Sequence, residues 1–89
     1  MDIEYDPRKA ASNLKKHGVS FDDAATALLD PMALAREDDD AEGEARFVAV
    51  GMSSTGHLIT VCYTLRDGET IRLISARRAT TNERRQYES

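Results

Sequence analysis

From residue 46 onward the chain changes its hydrophobic period from that of a helix to that of a strand. "RFVAVGMS" (46–53), "HLITVCYT" (57–64) and "ETIRLISA" (69–76) are rich in β-branched side chains. Ser54-Thr55-Gly56 and Arg66-Asp67-Gly68 separate them and carry the residues of tight turns. Turns this short join antiparallel neighbours, so the segment predicts a three-strand meander. An 89-residue chain has room for little more than one such sheet and two or three helices, and the expectation is one small domain spanning 1–89.

The first half supplies the helices. "DIEY" (2–5) alternates polar and apolar and suggests a short first strand. Asp6-Pro7 then has the form of a helix start, with aspartate as cap and proline where no N–H is needed. Ala10, Ala11 and Leu14 follow at helical spacing, Lys15, Lys16 and His17 suit the negative end of the helix dipole, and Gly18 is the stop. Ser20 and Asp23 have capping-box spacing. Phe21, Ala24, Ala25, Leu28 and Leu29 form an apolar stripe that Asp30-Pro31 ends. "MALA" (32–35) suggests another short strand, and "REDDDAEGEA" (36–45) an acidic loop. Thr80 and Glu83 repeat the capping-box pattern, so a last helix is expected near Thr81. The expected order is β-α-α-β-β-β-β-α, an α+β domain with an antiparallel sheet and its helices on one face.

Several functions are disfavoured. No apolar run approaches the roughly 20 residues of a membrane span, and "MDIEYDPRKA" lacks the apolar stretch of a signal peptide. One cysteine allows no internal disulfide, which fits a reducing, cytoplasmic setting. Cys62 reads as a buried core thiol. The two histidines are forty residues apart, without ligand spacing, and "EDDD" (37–40) lacks the ligand order of a calcium loop, so no metal or other cofactor is expected. His57, in a hairpin turn, reads as plain surface.

What remains is arginine. The formal net charge is −4, yet the closing stretch "RLISARRATTNERRQYES" carries Arg72, Arg77, Arg78, Arg84 and Arg85. Strict alternation puts Arg72, Ile74, Ala76 and Arg78 on one face of the last strand and Ile71, Leu73, Ser75 and Arg77 on the other. Meander geometry sets Arg46 and Arg66 at one end of the sheet and Arg77 toward the other. Such a ridge is either solvated surface, with Arg84 and Arg85 pairing with Glu83 and Glu88, or a site for phosphate. His17 either serves the helix terminus or is a candidate for proton transfer.

"YDPRKAASNLKKHGVSFDDAATALLDP", "GEARFVAVG", "HLITVCYTLRDGETIRLISARRAT" and "ERRQYE", taken in order, resemble the BrnT family. The most specific pieces are N-x-x-KHGVSF, GE-x-R before a strand, and ISARRA-x-x-x-E-R-R. Two departures stand out: Tyr5 where tryptophan is often seen, and Leu28-Leu29 where phenylalanine is common. Both look like core changes. The resemblance implies a RelE-like fold and the toxin of a type II toxin–antitoxin pair. It implies a metal-independent endoribonuclease that inhibits translation and growth. Its partner would be a BrnA-like antitoxin, DNA-binding and of ribbon-helix-helix type, in a hetero-oligomer. In that reading Arg77 (with Arg78) stabilises a phosphorane, Arg46, preceded by Glu44, holds the scissile phosphate, and His17, with Lys16 beside it, is the acid or base. Lys9, Lys16, Arg66, Arg72, Arg78 and Arg84 then steer the RNA backbone. Two other classes stay open: a catalytically weak antitoxin-binding partner and co-repressor, and a module that binds RNA without cutting it.

Overall fold

The computed structural model describes residues 2–38, 43 and 45–89. Strand β1 (Asp2–Glu4) leads into helices α1 (Pro7–His17) and α2 (Phe21–Leu28); strands β2 (Leu34–Asp38), β3 (Arg46–Met52), β4 (Leu58–Arg66) and β5 (Thr70–Arg78) follow, and helix α3 (Thr81–Glu88) closes the chain. The helix starts use the expected local chemistry. Asp6 accepts from the Arg8 amide, Ser20 from the Asp23 amide, and Thr80 with Glu83 forms a complete capping box. Gly18 ends α1 with φ of 70°, a left-handed conformation that glycine adopts without steric cost.

The sheet order is β1-β5-β4-β3-β2. The meander β3-β4-β5 is antiparallel, and β2 pairs antiparallel with β3. β1 runs parallel to β5, so the sheet is mixed rather than wholly antiparallel. The reason is topological: both helices lie between β1 and the rest of the sheet, long enough to return the chain in the same direction. β2 also begins later and runs further than "MALA" suggested, to Asp38, because Arg36, Glu37 and Asp38 pair with Val48, Phe47 and Arg46.

The core lies between α1, α2 and one face of the sheet. Phe21, Ile59, Leu73 and Val61 are its largest fully buried side chains, each contributing roughly 1.5–3 kcal/mol by leaving water. Tyr5 packs edge-on against Phe21, with ring centroids 5.3 Å apart. Leu28 is partly buried against this cluster, but Leu29 is 70% exposed and is not a core residue: it is the C-cap, where the stripe leaves the helix. At Gly51 a Cβ would stand 2.2 Å from the Ala27 carbonyl oxygen, so α2 rests directly on β3.

Two further expectations change. α3 does not share the face of α1 and α2. Its Glu83 bonds Thr60 and Arg77, whose side chains point away from the Ile59–Val61 core face. The alternation in β5 is also broken. Ser75 pairs with Cys62 but Leu73 pairs with Tyr63, leaving Ile74 as the extra residue of a β-bulge. A bulge flips the parity of everything beyond it. Ile71, Leu73, Ala76 and Arg78 therefore face α1 and α2, while Arg72, Ser75 and Arg77 face the other side.

Candidate functional site

β1 covers the edge of β5 only over residues 70–72. Beyond it α1 takes over. The buried Asn13 side chain accepts from the Ala76 amide (3.0 Å) and donates to the Ala76 and Val19 carbonyls (2.9 and 3.0 Å). It thus serves both backbone groups of Ala76, as a neighbouring strand would. Between this anchored helix and the bulged edge lies an open cleft of about 250 Å³, lined by Lys9, Ser12, Asn13, Lys16, His17, Ile74 and Ser75. Lys9, Lys16 and His17 are all exposed. Three of the residues singled out from the sequence therefore meet in one place, beside a bulge.

Arg77 is two residues past Ser75 and points to the same face, roughly 7 Å further along the strand. Its guanidinium is held by Glu83 through two bonds of 2.7 and 3.0 Å. Glu83 also accepts from Thr60 Oγ1 (2.9 Å) and from the Thr80 amide (2.8 Å). The hydrogen bonds from Arg77 are the main cause that lowers the Glu83 carboxyl to about 2, with Thr80 and Thr60 helping and burial opposing. The same pairing raises Arg77. Its side chain is still 43% exposed, so it is reachable by solute though not unpartnered.

Arg46 lies elsewhere. It pairs with Thr64, whose other neighbour is Arg72, whereas Arg77 pairs with Thr60. Four residues along β4 and one strand to either side put Arg46 and Arg77 roughly 16 Å apart. Arg72 bonds Glu4 at 3.3 Å, and Arg66 is exposed at the end of β4. This end of the face carries Arg46, Arg66 and Arg72; the other carries Arg77 and α3. Glu44 lies outside the described residues. Cys62 is half-buried on this face, not in the main core; burial pushes its thiol up and Arg46 opposes the shift.

Arg78 is on the opposite side. It lines a groove of about 550 Å³ with Leu14, Asp22, Asp23, Thr55 and His57, among others. The sequence treated His57 as plain surface, but its Nδ1 is 3.0 Å from Thr55 Oγ1, which also donates to Asp23 at 2.9 Å. The only local signal was the Ser20/Asp23 spacing, and it pointed to a cap: Ser20 does cap α2, while the Asp23 carboxylate reaches the β3–β4 turn. Arg84 and Arg85 are exposed on α3 and form no ion pair among the described residues; Glu83, their expected partner, belongs to Arg77. No group of three or more metal-ligating side chains occurs among the described residues, and none of their helices is long and apolar enough to cross a membrane.

The chain is thus a three-helix α+β domain with a mixed five-stranded sheet, a lysine–histidine cleft at one edge and arginines on one face. The family described as the ribonuclease toxin BrnT of type II toxin–antitoxin systems matches residues 5–83, and the chain belongs to that family. Among solved structures it is similar to the Brucella abortus ribonuclease toxin BrnT, with a TM-score of 0.66 and 26% identity over 91% of this chain and 99% of that one. No curated protein sequence matches it.

Proposed function

We propose that this toxin is a metal-independent endoribonuclease of RelE-like descent, which cleaves RNA by attack of a 2′-OH on the adjacent phosphate. It acts in the cytoplasm until a BrnA-like, ribbon-helix-helix antitoxin silences it. The observation that carries this reading is the cleft where Lys9, Lys16 and His17 meet the bulged edge of β5, next to Arg77. The reaction needs a base for the 2′-OH, an acid for the leaving 5′-oxygen, and positive charge for the phosphorane. His17 offers the proton transfer and the two lysines offer charge. Arg77 offers a planar fork matched to two phosphate oxygens, once the phosphate takes the place of the Glu83 carboxylate. Arg46 is too far from Arg77 to share its phosphate. Its role is to hold the backbone a few nucleotides away with Arg66 and Arg72; Arg84 adds charge from α3, and Arg78, on the other side, would meet only RNA that wraps the domain.

One observation favours a second reading, in which the chain only partners the antitoxin: Arg77 is already bonded through both terminal nitrogens. Purified wild type, His17→Ala, Arg77→Ala and Glu83→Gln, freed of antitoxin, separate the two. With RNA in excess EDTA, wild type should leave 2′,3′-cyclic or 3′-phosphate ends. His17→Ala and Arg77→Ala should each lose roughly 10²–10³ in rate where melting curves show them folded. Glu83→Gln, which frees Arg77, should keep or gain rate. Equal cleavage by Arg77→Ala and wild type would make the Arg77–Glu83 pair a purely structural clamp. No cleavage by any of them favours the partner-only reading.

A further inference from the structure

β2 is an edge strand, and among the described residues its outer side pairs with no other strand. It is five residues long, against three for β1 at the other edge, and pairs along its full length with β3. An open edge of this kind offers a row of backbone donors and acceptors to any extended chain. Apolar side chains surround it. Leu29 (70% exposed) and Met32 (67%) stand in the turn that leads into it, and Leu34 (46%) is its first residue. Leu34 also lines a groove of about 240 Å³ with Val48, Val50 and the α3 residues Glu83 and Gln86. The far half of the strand is charged differently. Arg36 is followed by Glu37 and Asp38, and the sequence continues through Asp39, Asp40, Glu42 and Glu44.

We propose that β2 is the docking edge for the antitoxin, which adds one extended segment as a sixth strand. The proposal rests on the toxin–antitoxin reading and names the surface that reading leaves unassigned. Charge selects the occupant. A segment that pairs with β2 needs an apolar side chain against Leu34, a neutral or acidic one opposite Arg36, and basic residues from Glu37 onward. A second copy of this chain fits badly. Antiparallel self-pairing centred on β2 sets Arg36 against Arg36, and like charges directly opposite one another destabilise a sheet. The charged edge therefore discourages self-association and admits a basic strand. Docking here would leave the Lys9–Lys16–His17 cleft, at the far edge of the sheet, uncovered by that strand.

The experiment uses the full chain co-expressed and purified with its antitoxin. Amide hydrogen exchange is followed for the chain alone and in the complex, and affinity is measured for Leu34→Lys, Glu37→Lys and, as control, Leu65→Lys. Leu65 is an exposed residue on β4, the central strand, two strands from either edge. The expected result is new protection of residues 34–38 in the complex. Leu34→Lys and Glu37→Lys should weaken binding at least tenfold, the Glu37 effect shrinking at 1 M salt, with Leu65→Lys and RNA cleavage unchanged. A stable complex without protection of residues 34–38 overturns the docking edge and leaves the toxin–antitoxin reading intact. No complex at all removes both. Concentration-dependent protection of β2 in the chain alone would assign the edge to a second copy and overturn the antitoxin as its occupant.

Discussion

Two helices are fastened to β5 on opposite faces, by different chemistry. α1 is held by Asn13, a buried neutral amide that makes three hydrogen bonds to backbone. α3 is held by Glu83, a mostly buried carboxylate paired with the half-exposed Arg77. The amide has no charge to lose and little competition from water, so it fixes α1 under all conditions in which the fold persists. The ion pair depends on pH and salt, and any phosphate that reaches Arg77 competes with it. The contrast teaches where the molecule can yield: the cleft wall on α1 is rigid, and the arginine beside it is on a releasable catch.

The comparison can be tested at three strengths. Asn13→Ala should be the most damaging, by about 3–5 kcal/mol, because it strands the Ala76 amide and carbonyl and the Val19 carbonyl in a dry site. Urea unfolding measures it. A loss below about 1 kcal/mol would mean that α1 is held by apolar packing instead.

Acid should act mainly on the other fastening. Glu83 sits at about 2 when folded, against an ordinary 4.5. Its contribution is therefore fully present above pH 4.5 and is lost as pH falls from 4.5 towards 2, amounting to about 1–3 kcal/mol. Stability measured between pH 6 and 2.5 should show this slope in wild type. Arg77→Ala should reduce it, the remainder coming from Asp30, whose carboxyl the Tyr87 hydroxyl and the Met52 and Met32 amides also hold below its ordinary value, while Asn13→Ala should shift the whole curve down and keep the slope. The smallest effect is that of salt. Raising it to 1 M should cost wild type less than about 1 kcal/mol, through the Arg77–Glu83 pair, and should leave the difference between wild type and Asn13→Ala unchanged. A salt effect as large in Glu83→Gln as in wild type would place the screened interaction elsewhere.

Some of this was legible from residue types and spacing. Asp6, Ser20 and Thr80 cap helices because an oxygen two or three residues from an orphan N–H needs nothing beyond the local chain. The meander was legible because its turns are short and its strands alternate. Of the candidate site, Lys9, Lys16 and His17 were each singled out in the sequence, but their meeting in one cleft and the strand they face were not. His57 was missed because its partners Thr55 and Asp23 are assembled across a turn and a helix.

The sequence by itself determined where the helices begin and where the meander turns, since caps, turns and hydrophobic period are short-range; the bounds of β2 came from its pairing with β3. Only the tertiary structure decided which arginine faces which side and which charges meet. A single extra residue, Ile74, reverses the parity of β5, and no local pattern marks it, because a bulge is a mismatch between two strands rather than a property of one. Asn13 reaches its strand partner across 63 positions, and Glu83 serves at once as cap, as acceptor for Thr60 and as partner of Arg77. Such pairings exist only once the sheet register is set, because register is what brings polar groups distant in the chain within bonding distance of one another.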